Sequence, residues 1–443
     1  MKRQIDEDLL KWKSSPARMP LLIRGARQVG KTFSVQRFSK KHYKQLVYIN
    51  FEHEPDYASC FKTLNPQDIL NEIQLRKKVR IDNETLLFID EIQECPKAIM
   101  AMRYFYEMMP QIHLIGAGSL LEFPLKDENF RMPVGRVQSL FVYPLSFYEF
   151  ARALGYDMLL EHLEQATLES PPSQSAHEKA TELLRSYFAL GGMPNVVAHY
   201  IKNKDYSLCQ DIQQDILRTY RDDFGKYAKY TEHKILDMVY RKAPGLACQW
   251  FKYAKVDPMI RPEKIKLAIE QLTDANLVYP IYSTSATGLP LATTMNQKKF
   301  KLLFLDLGLN QRAMGLEMET ILRDDLMLLN QGCIAEQFVG QELVAYSNPR
   351  DQKPLYFWVR EKTGSSAEVD YVSVMNSQVV PIEVKSKAPG HLKSLRLFLD
   401  EKRTPLGVCI STNTLRVEKN ILYVPLYMIA QLPRLVSAFG GGC

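Results

Sequence analysis

Short apolar runs recur through the first third of the chain and are separated by longer mixed stretches. The runs are Leu21–Ile23, Leu46–Phe51, Leu86–Ile89 and His113–Ser119, the last of which ends in a polar residue. Nearly continuous apolar runs are typical of strands buried on both faces of a parallel sheet, with helices in the connecting segments. We therefore predict an α/β domain with a parallel sheet over residues 1–150.

Helical patterns and chain breakers alternate in the next segment. Ser146 fits the N-cap of a helix, and Glu149 completes an S-x-x-E capping box. Two breaks follow, a loop rich in Ser and Pro at Glu169–Ser175 and a sharp turn at Gly191–Pro194. This pattern predicts a helical lid over residues 151–204.

The pattern changes again over residues 205–324. One predicted helix places three apolar residues on a single face, namely Ile265, Ile269 and Leu272. That helix stops within Asp274–Tyr279, where a strand begins, and a second strand is predicted at Phe300–Phe304. Helices followed by a β-hairpin are typical of a winged-helix domain, which is the prediction for this segment.

An α/β pattern returns in the last segment, residues 325–443. The predicted elements are a helix within Gly332–Leu343, strands at Glu368–Val372 and Pro381–Lys385 on either side of a turn, and a helix at His391–Glu401. The order of these elements predicts a separate C-terminal α/β domain.

Composition narrows the class of protein only slightly. The 443 residues contain no apolar stretch near the length that spans a bilayer, and the N-terminus lacks the apolar core of a secretory signal. Seven scattered cysteines without CxxC pairs favour a reducing, cytoplasmic location and disfavour a zinc site. The net charge, 57 − 50 = +7, permits contact with nucleic acid without establishing it.

The segment after the first apolar run fits the phosphate-binding pattern GxxxxGK[ST] at every fixed position. Its residues are Gly25, Ala26, Arg27, Gln28, Val29, Gly30, Lys31 and Thr32. Such a loop directs successive backbone N–H groups at phosphate oxygens, and the following helix N-terminus adds partial positive charge. We expect Lys31 to contact the β- and γ-phosphates of ATP and Thr32 to bind Mg²⁺.

A second motif follows about sixty residues later, where the strand Leu86–Ile89 ends in two carboxylates. Asp90 is placed to hold the Mg²⁺ shell, and Glu91 suits a general base that takes a proton from the attacking water. An acidic turn after a core strand is the alternative for this motif taken alone. Its combination with the phosphate loop favours ATP hydrolysis.

Three further residues are candidates for contacts with the phosphates. Ser119, the polar residue that ends the predicted strand His113–Ser119, is either a sensor of the γ-phosphate or a simple turn serine. Arg136 is either an arginine that reaches the γ-phosphate, within the chain or from a neighbouring copy, or a surface arginine. Arg27 inside the loop has the same two alternatives.

Residues 241–266 are basic, with seven Lys and Arg against two Asp and Glu, or 7 − 2 = +5. Three aromatic residues are interleaved with them: Trp250, Phe251 and Tyr253. A recognition helix on DNA would show this composition. A solvated face, or a winged helix that packs only against protein, is the alternative.

The C-terminal segment contains the spacing D-x₁₂-E-x-K, formed by Asp370, Glu383 and Lys385. On paired strands the two carboxylates can meet and bind Mg²⁺, with Glu336 as a further ligand, while the lysine stabilises charge on a phosphate. This is the arrangement of the PD-(D/E)xK, or restriction-endonuclease-like, fold. A β-hairpin with solvent-facing charges is the alternative.

Together these motifs resemble those of a large family of prokaryotic AAA-type P-loop ATPases, in which an ATPase core is joined to a winged helix and a restriction-endonuclease-like domain. The matching motifs, in family order, are Gly25–Thr32, Leu86–Glu91, Gly118–Ser119, Gly135–Arg136, Pro144–Phe150, Gly191–Pro194, Glu336, Glu368–Tyr371 and Pro381–Ser386. The resemblance covers nearly the whole chain. It implies ATP binding but no particular substrate.

Two functions are consistent with the sequence. In the first, an ATPase uses ATP and Mg²⁺ to control a C-terminal domain that binds DNA and has catalytic residues for cleaving it. In the second, an ATP-dependent switch binds a protein or DNA partner, and the nuclease-like domain is inactive. A helicase-like motor is disfavoured because no second motor domain is evident. The expected partners are ATP, DNA or a protein, and further copies of the chain, but no membrane.

Overall fold

We describe the protein from a computed structural model over residues 1–122, 135–226, 230–318, 331–362, 367–385 and 392–440. The chain divides into two compact units. The first contains Met1–Pro144 with the short segments Asp274–Asn276 and Asn348–Gln352, and the second contains the rest of the chain. The predicted elements that include Ser386 and His391 extend outside the described residues.

The first unit is an α/β domain. Its elements are α1 (Gln4–Ser14), β1 (Leu21–Arg24), α2 (Lys31–His42), β2 (Gln45–Asn50), α3 (Pro66–Lys77), β3 (Thr85–Asp90), α4 (Pro96–Met108), β4 (His113–Ala117) and β5 (Gln138–Phe141). The five strands are parallel and follow the order β2-β3-β4-β1-β5. The parallel sheet predicted from the apolar runs is confirmed. Strand β4 therefore lies between β1, which leads into the phosphate loop, and β3, which ends in Asp90.

The core of this unit explains why its strands have continuous apolar sequences. All six residues of β3 are buried, since helices cover both faces of a parallel sheet. On one face the strand residues Val47 and Ile89 pack with α3 and α4, whose apolar residues recur at helical spacing. This packing fixes the carboxyl ends of β1, β3 and β4 along one edge of the sheet.

The second unit begins with helices and continues into a mixed sheet. The helices are α5 (Phe147–Ala153), α6 (Asp157–Gln165), α7 (Gln174–Leu190), α8 (Pro194–Asn203), α9 (Tyr206–Asp222), α10 (Tyr230–Leu246), α11 (Tyr253–Val256) and α12 (Pro262–Asp274). After them come β6 (Val278–Thr284), β7 (Met295–Phe304), α13 (Leu307–Ala313), α14 (Gln331–Ala345), β8 (Leu355–Val359), β9 (Glu368–Met375), β10 (Gln378–Val384), α15 (Lys393–Lys402), β11 (Gly407–Ser411), β12 (Arg416–Glu418), β13 (Ile421–Pro425) and α16 (Leu432–Gly440).

The hairpin predicted to be a wing belongs to this larger sheet. The eight strands follow the order β12-β13-β11-β10-β9-β8-β6-β7. Strand β6 pairs with β7 on one side and, in parallel, with β8 on the other, with Ile281 opposite Leu355. The predicted boundary between residues 324 and 325 lies outside the described residues, but strands from both sides of it share one sheet, because the open edge of the hairpin takes its backbone partners from β8. This pairing does not match a free wing.

Helix α14 holds the second unit together through buried polar side chains. Gln337 forms two hydrogen bonds with the backbone of Phe304, and Gln341 accepts one from the backbone N–H of Leu307. Glu342 accepts the backbone N–H of Phe147 at the start of α5 with both oxygens, at 3.0 and 3.1 Å. Buried polar groups need such partners, so these side chains are structural.

The sharp turn at Gly191–Pro194 is fixed in a similar way. The carbonyl of Gly192 accepts the backbone N–H of Leu145 at 2.6 Å, and a Cβ at Gly192 would lie 2.2 Å from the carbonyl oxygen of Leu145. Asp306, the N-cap of α13, accepts the backbone N–H of Gly192 at 2.7 Å. Burial raises the pKa of Asp306 to about 6. Helices α5, α7 and α13 are thus joined by two segments that resemble family motifs, Pro144–Phe150 and Gly191–Pro194.

Candidate functional site

The phosphate loop links the end of β1 to the start of α2. Gly25 has a φ of +138°, and a Cβ there would lie 2.2 Å from the carbonyl oxygen of Val142, so only glycine fits. Gly30 has a φ of +92° and immediately precedes α2. Both glycines are therefore required for the loop to curl over the N-terminus of α2, which is the geometry that binds phosphate.

Lys31 lies beneath this loop and is 7% exposed. Its ammonium group donates to the carbonyl oxygens of Gly25 at 2.9 Å and Ala26 at 2.7 Å. Burial lowers the pKa of Lys31 to about 8, although Glu91 and Asp90 act in the opposite direction. A buried ammonium held only by loop carbonyls is placed to exchange them for phosphate oxygens, with which it makes stronger, charge-assisted bonds.

Thr32 and Asp90 come together from different parts of the sequence. The hydroxyl of Thr32 donates to Asp90 Oδ2 at 2.7 Å, and the hydroxyl of Tyr48 donates to the same oxygen at 3.0 Å. Mg²⁺ prefers oxygen ligands and commonly takes one or two from protein side chains, with water and phosphate completing the octahedron. The Thr32 and Asp90 oxygens therefore fit a Mg²⁺ ion that accompanies a nucleotide.

Glu91 follows Asp90 at the end of β3 and adopts a φ of +48°. Its carboxylate accepts the side-chain N–H of Gln93 at 2.7 Å. Gln93 is 7% exposed and is a site residue that sequence reasoning missed. Its position two residues beyond Glu91, in the turn that follows the acidic pair, was the available signal. The contact restrains the carboxylate that we predict to act as the base.

Ser119 and Arg27 have different surroundings. Ser119 follows β4 at the same edge of the sheet as the phosphate loop, and its buried hydroxyl has no hydrogen-bond partner in the part of the chain that the structure describes. A buried hydroxyl without a partner is consistent with a ligand contact. Arg27 pairs with Glu52, with 2.6 Å between Nη2 and Oε1, so its guanidinium already has a carboxylate partner.

The structure does not bring Arg136 to the phosphate loop. This residue precedes β5, which runs parallel to β1 with Gln138 opposite Leu21. It therefore lies at the amino edge of the sheet, whereas the phosphate loop lies at the carboxyl edge. Arg136 pairs there with Glu107 at 3.0 Å. A contact with phosphate inside the same chain does not fit this position, and a contact from another copy stays a prediction.

Arg3 supports the phosphate loop from the N-terminal helix. Its guanidinium donates to the carbonyl oxygens of Val29 at 3.1 Å and Tyr143 at 2.7 Å, and the residue is 8% exposed. The two acceptors are distant in sequence, so no local pattern indicated this role. Arg3 ties the loop to the segment that follows β5.

Replacing Arg3 with alanine is expected to loosen the loop. The buried carbonyls of Val29 and Tyr143 would each lose a charged donor, at a cost of about 1–3 kcal/mol of stability. Thermal unfolding and ATP affinity, measured by calorimetry, should both show the loss. The exposed neighbour Lys2 provides the control, since Lys2→Ala should change neither quantity. Equal ATP affinity and melting temperature in Arg3→Ala and wild type would contradict this role.

The C-terminal residues lie on neighbouring antiparallel strands. Tyr371 on β9 is opposite Ile382 on β10, which places Asp370 opposite Glu383. Asp370 accepts the backbone N–H of Val384 at 2.7 Å, and the ammonium of Lys385 contacts Glu383 Oε1 at 2.7 Å. The spacing in the sequence thus corresponds to side chains that share one part of the sheet.

A buried lysine that the sequence analysis missed also belongs to this cluster. The ammonium of Lys301, on β7, lies 2.7 Å from Glu336 Oε1 and also contacts Glu368. Its side chain is 2% exposed and lies over the ring of Phe357. The second oxygen of Glu368 accepts the indole N–H of Trp250 at 2.5 Å. We call Lys301, Glu336, Glu368, Asp370, Glu383 and Lys385 the carboxylate cluster.

The carboxylate cluster does not fit the predicted Mg²⁺ site. Among the side chains that the structure describes, no group of three or more His, Cys, Asp or Glu residues is arranged to hold a metal ion. Glu336, Asp370 and Glu383 therefore do not form such a group. Burial raises the pKa of Glu336 well above its usual range and that of Glu383 to about 7. Glu383 Oε2 is buried without a partner among the described residues, while its other oxygen contacts Lys385.

The basic segment does not form a single recognition helix. Helix α10 ends at Leu246 and α12 begins at Pro262, with only the four-residue α11 between them. Phe251 is buried and stacks on Phe300, so this aromatic ring is not presented to a nucleic acid. All seven basic side chains of the segment are nevertheless exposed: Arg241, Lys242, Lys252, Lys255, Arg261, Lys264 and Lys266.

Comparison with family models divides the chain into three parts. Residues 17–151 match a model described as an AAA domain. Residues 181–320 and 331–429 match two models that are each described as a domain of unknown function, DUF8612 and DUF4143. No curated protein matches the chain. Residues 17–151 therefore form an AAA-type P-loop domain.

Solved structures of AAA proteins are distantly similar. The Orc1 protein of Aeropyrum pernix in complex with DNA is 12% identical, with 73% of this chain and 91% of that chain covered and a TM-score of 0.28. The RuvB Holliday junction branch migration motor of Thermotoga maritima is 15% identical, with 63% and 89% covered and a TM-score of 0.29. Domain III of the replication initiation protein DnaA of Thermotoga maritima is 18% identical, with 48% and 90% covered and a TM-score of 0.26. These values are too low to transfer a function. Among the described helices, none has the length and apolar character needed to cross a membrane.

Proposed function

We propose that this protein binds ATP with Mg²⁺ and hydrolyses it at the phosphate loop. The observation that carries the proposal is the hydrogen bond between Thr32 and Asp90 at the edge where Lys31 lies beneath the loop. Two motifs 58 residues apart in sequence meet there as an ATPase requires. The match of residues 17–151 to an AAA domain supports the same proposal.

Each residue has a separate part in the proposed reaction. The backbone N–H groups of the loop and the ammonium of Lys31 bind the β- and γ-phosphates and offset their charge. Thr32 and Asp90 would hold the Mg²⁺ that accompanies the nucleotide, and that ion would supply positive charge against the phosphates. Glu91 accepts the proton of the attacking water on its carboxylate, and Gln93 orients that carboxylate. The buried hydroxyl of Ser119 donates to a phosphate oxygen or to the water.

We propose that the nucleotide state controls the binding of a DNA partner by the second half of the chain, without DNA cleavage. The exposed basic side chains between Lys252 and Lys266 support DNA as the partner, because phosphate contacts dominate nucleic-acid affinity. The spacing of Asp370, Glu383 and Lys385 is what favours the alternative, a cleaving domain. Against cleavage stands the pairing of Lys301 with Glu336 and Glu368.

One experiment with the full chain tests both halves of this proposal. ATP hydrolysis is measured with and without duplex DNA, and supercoiled plasmid is incubated with protein, ATP and Mg²⁺ or Mn²⁺. We expect hydrolysis that DNA changes severalfold and a plasmid that stays intact. Hydrolysis unaffected by DNA would favour a protein partner. Plasmid cleavage by wild type that is lost in Asp370→Asn would overturn the non-cleaving proposal and establish a nuclease.

A further inference from the structure

The carboxylate cluster contains its own cation. Lys301 lies on β7, within the second strand predicted for the winged helix. Its ammonium contacts Glu336 on α14 and Glu368 on β9. We propose that the ammonium of Lys301 takes the place that a divalent cation holds in a metal-dependent nuclease, so that the cluster is closed to Mg²⁺. This inference concerns the second unit alone and does not depend on ATP hydrolysis.

The burial of Lys301 is the first reason for this assignment. A lysine side chain that is 2% exposed must have ionic partners, because an unpaired ammonium in the interior is very unfavourable. Its ammonium has two carboxylates and the face of Phe357, with 5.2 Å to the ring centroid. The attraction of Glu336, Glu368 and Asp370 outweighs the effect of burial and holds the pKa of Lys301 above its usual range.

The use of the surrounding oxygens is the second reason. Glu336 Oε1 and one oxygen of Glu368 contact Lys301, while the other oxygen of Glu368 accepts from Trp250. Asp370 Oδ2 accepts a backbone N–H. A hard cation such as Mg²⁺ or Mn²⁺ needs several convergent oxygens, and these four already contact nitrogen donors, whereas Glu383 Oε2 has no partner among the described residues.

The balance of charge is the third reason. The cluster has four carboxylic acids, Glu336, Glu368, Asp370 and Glu383, and two ammonium groups, Lys301 and Lys385. The two ammonium groups lie against these acids without a metal ion: Lys301 contacts Glu336 and Glu368, and Lys385 contacts Glu383. Removing Lys301 leaves an excess of acidic groups, which is the condition under which a divalent cation binds.

The wild-type protein provides the first test. Binding of Mn²⁺ to the full chain without nucleotide is followed by the electron paramagnetic resonance signal of free Mn²⁺, for wild type and for Glu336→Gln. We expect the two to bind Mn²⁺ equally, because Glu336 is engaged by Lys301. Mn²⁺ binding by wild type that Glu336→Gln removes would overturn the inference, whatever the variants of Lys301 do.

A gain of function provides the second test. Lys301→Ala should bind Mn²⁺ at least about tenfold more tightly than wild type, because the freed carboxylates then act as ligands. Mn²⁺ should also raise the melting temperature of Lys301→Ala and leave that of wild type unchanged. In the double variant with Glu336→Gln, the gain should disappear. Any Mn²⁺ bound at the phosphate loop is common to all the proteins and cancels in the comparison.

Lys299 is a matched control on the same strand. It pairs with Glu361 at 3.1 Å but its side chain is 38% exposed, so its removal frees no buried carboxylate. Lys299→Ala should bind Mn²⁺ as wild type does. A folded Lys301→Ala that gains no Mn²⁺ affinity over Lys299→Ala would show that the carboxylates do not form a latent cation site, and the inference would be wrong.

Discussion

Replacing Lys31 with alanine is expected to abolish ATP hydrolysis by the full-length protein. The ammonium is the charged group beneath the loop, and its carbonyl partners cannot replace it because they would repel phosphate oxygens. Loss of one preorganised charged donor lowers kcat by about 100- to 1,000-fold. Loss of its charge-assisted hydrogen bonds, each worth about 1.5–3 kcal/mol, lowers ATP affinity by about tenfold or more. Steady-state hydrolysis and calorimetric titration with ATP and Mg²⁺ measure the two effects.

The exposed Lys40 on the same helix is the control for this prediction. Lys40→Ala removes the same charge from α2 without touching the loop, so its ATP affinity and hydrolysis should match wild type. Melting temperatures show whether either variant has lost its fold. A folded Lys31→Ala that binds and hydrolyses ATP at the wild-type rate would refute the assignment of the phosphate loop, and the proposed function with it.

Sequence patterns predicted the features that are formed by consecutive residues of the chain. The phosphate loop occupies consecutive residues, and its glycines are needed at the turns where the structure has them, at Gly25 and Gly30. The apolar run before Asp90 predicted a buried parallel strand because such strands have a distinct composition, and β3 is that strand. In both cases one short segment contains the whole signal, so no knowledge of distant contacts was needed.

Contacts between distant segments could not be obtained in this way. Lys301 lies 35 residues before Glu336. The strand predicted around it, Phe300–Phe304, is by itself only an apolar run with one charged residue. The pairing of β6 with β8 brings it into the carboxylate cluster, and periodicity contains no information about which strands pair. Arg3 is similar, because its acceptor Tyr143 is 140 residues away.

A contact of Arg136 with the phosphates of its own chain does not fit the sheet, for a different reason. The sequence placed this residue immediately before a strand, and the phosphate loop follows a strand. Parallel strands put these two positions at opposite edges of the sheet, so the prediction of a parallel sheet already disfavoured a contact within the chain. The strand direction indicated by the apolar runs therefore already placed Arg136 and the phosphate loop at opposite edges.

Changing Glu91 to glutamine is expected to separate ATP binding from ATP hydrolysis. The amide has nearly the same shape as the carboxylate but cannot accept the proton of the attacking water. Loss of a general base lowers kcat by about 100- to 10,000-fold. ATP affinity should change little, since the loop, Lys31 and the Thr32–Asp90 pair are untouched, and an interaction used only in the transition state affects kcat rather than binding. Single-turnover hydrolysis and equilibrium binding of ATP with Mg²⁺ provide the two measurements.

The neighbouring acid Glu94 makes this test specific. It is exposed in the turn after β3, so Glu94→Gln removes the same charge nearby and should leave kcat unchanged. Gln93→Ala should fall between the two, because Glu91 keeps its basicity but loses the side chain that orients it. If Glu91→Gln hydrolyses ATP at the wild-type rate, the base lies elsewhere. If both acidic variants lose activity equally, the effect is one of general charge rather than of proton transfer at Glu91.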